Sequence, residues 1–229
     1  MDPAMMDALR HGLILYIVLA ASIALHEFGH AKMADMLGDF LPRSQGRVTL
    51  NPLVHLDPIG TGVIPLLTIF LPIFTHTGLP ISLIGWGRPV QISLPHPKTR
   101  VRDEILITLA GPGMNFLIAL VTAIAAGLVM RSHHQTEIPE WAAEIIYINA
   151  IQIAFNLIPL PPLDGSRILR HIVGMSEELF VRLATISPII LLVLINLPAF
   201  QHFINEATIR VAIPFIRLMA KIAGVDIDL

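Results

Sequence analysis

Residues 12–38 read GLILYIVLAASIALHEFGHAKMADMLG, and their reading decides the fold. An uncharged, strongly apolar run leads without a break into His26, Glu27 and His30. A helix needs about 20 apolar residues to cross a hydrocarbon core roughly 30 Å thick, and residues 11–33 are predicted to form such a span. Ionisable groups at the end of a membrane span are tolerated only when they are paired, hydrated or bound to an ion. Arg10 ahead of the run and Ala20, Ala21 and Ser22 near its end give it a likeness to a signal peptide. Cleavage there would sever the run from the polar residues it carries, so it is read as a retained span.

The whole chain fits that reading. Of its 229 residues 54% are hydrophobic and 14% charged, and the mean hydropathy is +0.72, outside the range of soluble domains. A net charge of -2 supplies no basic patch, which argues against nucleic acid as a partner and directs attention to the lipid bilayer. There is no cysteine, so disulfides, a thiolate nucleophile and cysteine-ligated metals are excluded. Any metal must be held by His, Asp or Glu.

Further apolar runs follow at about 61–74, 104–130, 141–158 and 183–200, and a cation-spaced stretch at 206–222 is either an interfacial helix or another span. Residues 80–95, LPISLIGWGRPVQISLP in context, are short, β-branched and broken by Gly85, Gly87 and Pro89, which predicts a re-entrant loop or β-hairpin. The expected fold is an all-α polytopic membrane protein of about five or six transmembrane helices, one domain over 1–229. Lys32, Arg43, Arg47, Lys98, Arg100, Arg102, Arg167, Arg170 and Arg182 fall on one side of this span order, against Arg10 and Arg131 on the other. The crowded side is expected to be cytoplasmic, and HEFGH and the loop around Asp164 both end there.

HEFGH is an H-E-x-x-H pattern. Residues four apart lie one helical turn above each other, so His26 and His30 can converge on one ion, while Glu27 is left beside it as a proton acceptor and donor. Gly29 permits close approach of another backbone. The third ligand does not follow soluble zinc-protease spacings: Met36 stands six residues beyond His30, and no Glu lies between Glu27 and Glu104. Asp35, Asp39, His55, Asp57 and Asp164 remain. Asp35 and Asp39 suit the end of the helix, and His55 and Asp57 suit a turn. Asp164 follows Pro159, Pro161 and Pro162 in a rigid turn, in an expected N-cap position.

HEFGH on one span with NLIPLPPLDG at the end of a later one resembles the site-2 protease family of intramembrane zinc metalloproteases, over roughly residues 20–172. The resemblance implies one Zn2+ per chain held by His26, His30 and Asp164, with Glu27 as general base. It implies that Asn156, eight residues before Asp164, binds substrate backbone or the developing oxyanion. GPGMN, residues 111–115, resembles the family's Gly-x-x-x-Asn element, which makes Asn115 a second candidate for substrate contact. From the residues alone, Gly111 and Asn115 equally suit helix packing and Asn156 equally suits capping of the broken helix. Two histidines and a carboxylate also suit iron; the resemblance selects zinc. Trp86 reads as an interfacial anchor, and GWGRPV as an edge that an extended substrate could join.

Better-known members carry an inserted PDZ domain or a nucleotide-sensing domain. This chain has room for neither and resembles a minimal form. The expected activity is hydrolysis of a peptide bond in or near the transmembrane segment of a membrane protein substrate by zinc-activated water, as in regulated intramembrane proteolysis. The alternative is a catalytically silent metal-binding scaffold or a transporter. A transporter should place polar residues on several spans in two related halves, and a silent scaffold should lack Glu27.

Overall fold

The computed structural model describes residues 2–75 and 85–227. α1 runs Pro3–Met36, eight residues ahead of the expected start, because the Asp2 carboxylate accepts the Ala4 N–H at 3.3 Å and Pro3 fills the first helical position, where a missing N–H costs nothing. After a short α2 (Leu41–Ser44), a 3-10 turn at Pro52–Val54 and a π-turn at Pro58–Val63 lead into α3 (Ile64–Thr75). Asp57 caps the π-turn, accepting the N–H groups of Ile59 and Gly60 at 3.0 and 2.7 Å. Then follow α4 (Arg100–Ser132), α5 (Glu140–Asn156), α6 (Asp164–Ile172), α7 (Glu177–Ile195) and α8 (Pro198–Ala223).

Every apolar run read from the sequence is helical, and among the described residues there is no strand. Four helices are long and apolar enough to cross a membrane: Pro3–Met36, Pro58–Thr75, Arg100–Ser132 and Glu177–Ile195. α8 is not a lone interfacial helix. It buries Ala212, Phe215 and Met219 against Ala119, Ala123, Ala126 and Met130 of α4 and Ala142, Ile146 and Ala150 of α5. Small residues let these backbones approach, which is how helices associate where lipid offers no hydrophobic drive.

α1 crosses α4 at Gly29. A Cβ there would lie 2.6 Å from Met114 Cγ and as close to the Ala110 carbonyl, so the crossing that the sequence anticipated at this glycine requires it. At the other end of α1, His11 Nδ1 lies 3.3 Å from Glu144, bringing the starts of α1 and α5 to one side. Residues 80–84 of the expected hairpin lie outside the described residues. Residues 85–95 are non-helical and carry a single antiparallel bridge, Leu56 to Gly87, reinforced by Arg88 N–H donating to the His55 carbonyl at 2.7 Å. Asp39 holds the next part of this segment, accepting from Ser93 N–H, Ser93 Oγ and Leu94 N–H at 2.5, 2.7 and 2.9 Å. Burial alone would raise Asp39, but these hydrogen bonds keep its carboxyl below the usual range.

Because α4 starts beside the end of α1 and runs some 50 Å in the opposite direction, Ser44 and Ser132 belong to opposite faces. The chain has no native cysteine, so single Ser44→Cys and Ser132→Cys variants are free of background. A membrane-impermeant maleimide should label one of the two variants in intact cells and the other only after permeabilisation. Labelling of both from one side would contradict this fold.

Candidate metal centre

His26 and His30 sit one turn apart on α1, 6% and 9% exposed. The sequence places no acceptor for them on α1 itself; α4 supplies both. His30 Nδ1 lies 2.7 Å from the Ile107 carbonyl, an oxygen that can only accept. His26 Nδ1 lies 2.6 Å from Asn115 Oδ1, and Asn115 is fixed in that sense because its Nδ2 donates to Asn149 Oδ1 and Gln152 Oε1 at 2.9 and 2.7 Å. Each imidazole is therefore protonated at Nδ1 and presents a bare Nε2. The two Nε2 atoms are 3.1 Å apart.

Asp164 completes the group from a distant part of the chain. α5 ends at Asn156, and the prolines at 159, 161 and 162 turn the chain back into α6. Gly165 makes the return possible, since a Cβ there would collide with the backbone of Leu157 and Ile158. Asp164 is the first residue of α6 and not its cap; Leu163 occupies the cap position. The correction has a simple cause, because the carboxylate points at the histidines and is not spent on the helix's own N–H groups. Asp164 Oδ2 lies 3.3 Å from each Nε2. α6 is clamped to α4 by buried Glu104, which meets His171 at 2.9 Å and Arg167 at 3.4 Å.

The donor set fits a zinc ion. Two lone pairs and a carboxylate oxygen, mutually 3.1 to 3.3 Å apart, repel one another unless a cation lies among them. Asp164 Oδ2 is buried and has no hydrogen-bond partner. Zinc with N and O ligands at about 2.0–2.1 Å has tetrahedral edges of about 3.3 Å, which matches this triangle and leaves a fourth position open. Gly111 of α4 leaves room for the imidazoles, since a Cβ there would run into both rings, 2.5 Å from His30 Cε1 and 2.7 Å from His26 Cε1.

The centre forms part of the wall of a cavity of about 950 Å³, which Glu27, Gly87, Gln152 and Asn156 also border. Glu27 packs on the backbone of Gly87, where a Cβ would lie 2.5 Å from Glu27 Cγ. Asn156 closes α5, its Nδ2 donating to the Gln152 carbonyl at 3.0 Å. Asn115 differs from the expected substrate contact. It is 0% exposed, and both ends of its amide are engaged, so it braces His26 from behind.

The other candidates lie elsewhere. Asp35 forms a bidentate pair with Arg43, both contacts 2.6 Å; His55 Nε2 donates to the Thr49 carbonyl at 2.9 Å; Asp57 caps its turn. Trp86 lies over Gly60 and borders the cavity, and so is not simply an interfacial anchor. Sequence reasoning missed Glu104, Asn149 and Gln152. Their signal was available as uncommon polar residues within apolar helices, but their partners are 34 to 67 positions away.

Comparison with known proteins finds relatives of one kind. "Putative zinc metalloprotease YwhC" of Bacillus subtilis is 35% identical over 165 residues, covering 69% of this chain and 68% of that protein. "Putative zinc metalloprotease Rip2" of Mycolicibacterium smegmatis is 29% identical over 189 residues, covering 81% and 67%. The Rip2 of Mycobacterium tuberculosis is 32% identical over 146 residues, covering 63% of this chain and 51% of its own length. No protein-family model matches the chain, and no solved structure does.

Gly111→Ala should weaken zinc binding by about tenfold or more, measured by competition with a chelating dye, although alanine is the better helix former. Gly113→Ala, where a Cβ meets nothing within 4 Å, should leave it unchanged. Equal affinities in the two variants would show that Gly111 does not make room for the imidazoles.

Proposed function

We propose that this chain, which belongs to the zinc metalloprotease family of YwhC, is an intramembrane endopeptidase of the site-2 protease type. It hydrolyses a peptide bond in or near the transmembrane segment of another membrane protein, with its active site toward the cytoplasmic face. The observation that carries this reading is the triangle of His26 Nε2, His30 Nε2 and Asp164 Oδ2, with Glu27 bordering the same cavity. Two corners of the triangle lie on membrane helix α1, and the cavity beside it is lined mostly by apolar residues, a setting that suits a membrane-embedded substrate.

His26, His30 and Asp164 would hold the ion. Zinc bound there supplies a Lewis acid that polarises the scissile carbonyl and makes water a nucleophile near neutral pH. Glu27 accepts the proton of the attacking water and returns it to the leaving amine. Asn156, at the broken end of α5, offers its amide to the substrate backbone. Asn115 and the Ile107 carbonyl keep the two imidazoles in the ligating tautomer.

Residues 85–92 offer the substrate an extended edge. Trp86 and Arg88 direct their backbone groups toward the 55–61 segment: Trp86 N–H to the Gly60 carbonyl at 3.3 Å, Arg88 N–H to the His55 carbonyl, and the Trp86 carbonyl to Thr61 Oγ1 at 2.7 Å. In extended backbone the intervening residue points the opposite way. The N–H and C=O of Gly87 therefore face away from the 55–61 segment, and a substrate unwound from its helix can pair with them by β-addition. The cations that crowd the α1 C-terminal end support the cytoplasmic assignment.

Glu27→Gln tests the reading. With synthetic transmembrane peptides in detergent as substrates, cleavage should fall by about 10²- to 10⁴-fold while zinc content stays at the wild-type level. Retained turnover would remove Glu27 from the mechanism, and no cleavage of any peptide by wild type would contradict the protease reading.

A further inference from the structure

Among the described residues, four buried side-chain atoms lack a hydrogen-bond partner: His55 Nδ1, Thr108 Oγ1, Gln152 Nε2 and Asp164 Oδ2. Three of these residues, Thr108, Gln152 and Asp164, border the one cavity that contains the candidate metal centre. Asp164 Oδ2 is accounted for by the ion. Gln152 Nε2 is a two-proton donor, and a buried donor left unpaired is costly enough that it marks a place where a polar ligand belongs.

Its direction is not arbitrary. A glutamine amide can turn by half a rotation and exchange its donor for its acceptor, and here a chain of fixed hydrogen bonds prevents it. Ligation through Nε2 requires His26 to carry its proton on Nδ1 and donate it to Asn115 Oδ1 at 2.6 Å. Asn115 Nδ2 must then face away from the histidine, where it donates to Gln152 Oε1 at 2.7 Å. Gln152 Oε1 is thereby committed to Asn115, and Nε2 is left without a partner on a residue that borders the cavity. Asn149 anchors the relay from the side, accepting from Asn115 Nδ2 and donating to Ser22 Oγ at 3.1 Å.

We propose that Gln152, resting on the metalloprotease reading above, is a substrate-binding residue whose Nε2 donates to a backbone carbonyl of the peptide flanking the scissile bond. A carbonyl is the matching chemistry, because an unwound substrate presents unsatisfied carbonyl oxygens once its helical hydrogen bonds are given up. Gln152 and Asn156 lie one turn apart on α5, so both amides address one strand of peptide. The ion's ligand and the substrate's clamp are then set by one hydrogen-bonded chain.

The test uses the zinc-loaded full-length protein in detergent and two probes: acetohydroxamate, which carries only the metal-binding group, and a dipeptidyl hydroxamate, which adds backbone carbonyls. Gln152→Glu keeps the acceptor toward Asn115 and removes the donor; Gln152→Met removes both. Measured above neutral pH, both variants should bind the dipeptidyl hydroxamate about tenfold or more weakly, with acetohydroxamate affinity and zinc content unchanged. If only Gln152→Met loses affinity, Gln152 merely braces Asn115 and the proposal is overturned. If both probes weaken together, or zinc is lost, the residue is structural and the proposal also falls. Wild type that binds neither probe would instead overturn the metalloprotease reading itself.

Discussion

Two hydrogen bonds from α1 to α4, His30 Nδ1–H donating to the Ile107 carbonyl and His26 Nδ1–H to Asn115 Oδ1, are the constraint on which the rest depends. Each acceptor can only accept, so each imidazole is locked with its proton on the far side and its lone pair toward Asp164. Without them the rings could turn or exchange tautomers, and a pair of histidines within a membrane helix would be a liability. With them, three donor atoms stand 3.1 to 3.3 Å apart in an arrangement that a shared cation makes favourable.

Bringing α4 that close has steric conditions, and glycine meets them. Gly29 admits the α4 backbone and Gly111 leaves room for both rings. The bundle beyond, where α8 packs on α4 and α5 through alanines and a few large side chains, holds α4 in place from the other side. Asp164 arrives by a different route, a proline-framed return after α5 that Gly165 lets close tightly and the Glu104 pairs with Arg167 and His171 fasten to α4. All three candidate ligands are thus referenced to one helix. Polar groups that hydrocarbon would reject are mostly bonded to one another, and three of the four residues that keep an unpaired buried atom, Thr108, Gln152 and Asp164, border the cavity where a peptide is expected.

Much of this was legible in the chain. Hydropathy placed the long helices, because a span needs an uninterrupted apolar run, and H-E-x-x-H brought two candidate ligands to one face, because one helical turn separates residues four apart. The start of α1 was eight residues off, since the cap at Asp2 and Pro3 outweighs the polarity of residues 7–11. Asn115 was harder. Spacing puts it near the site, but only the packing of α1 on α4 decides between touching substrate and touching His26. Glu104 and Gln152 were illegible for the same reason: a buried polar residue announces that it has a partner, not which one.

The most direct test is the zinc content of the detergent-purified protein, wild type beside Asp164→Ala, by mass spectrometry after equilibration with buffered zinc. The three-ligand centre predicts about one zinc per wild-type chain and sharp loss in the variant. Metal-free wild type, or undiminished zinc in Asp164→Ala, would contradict it.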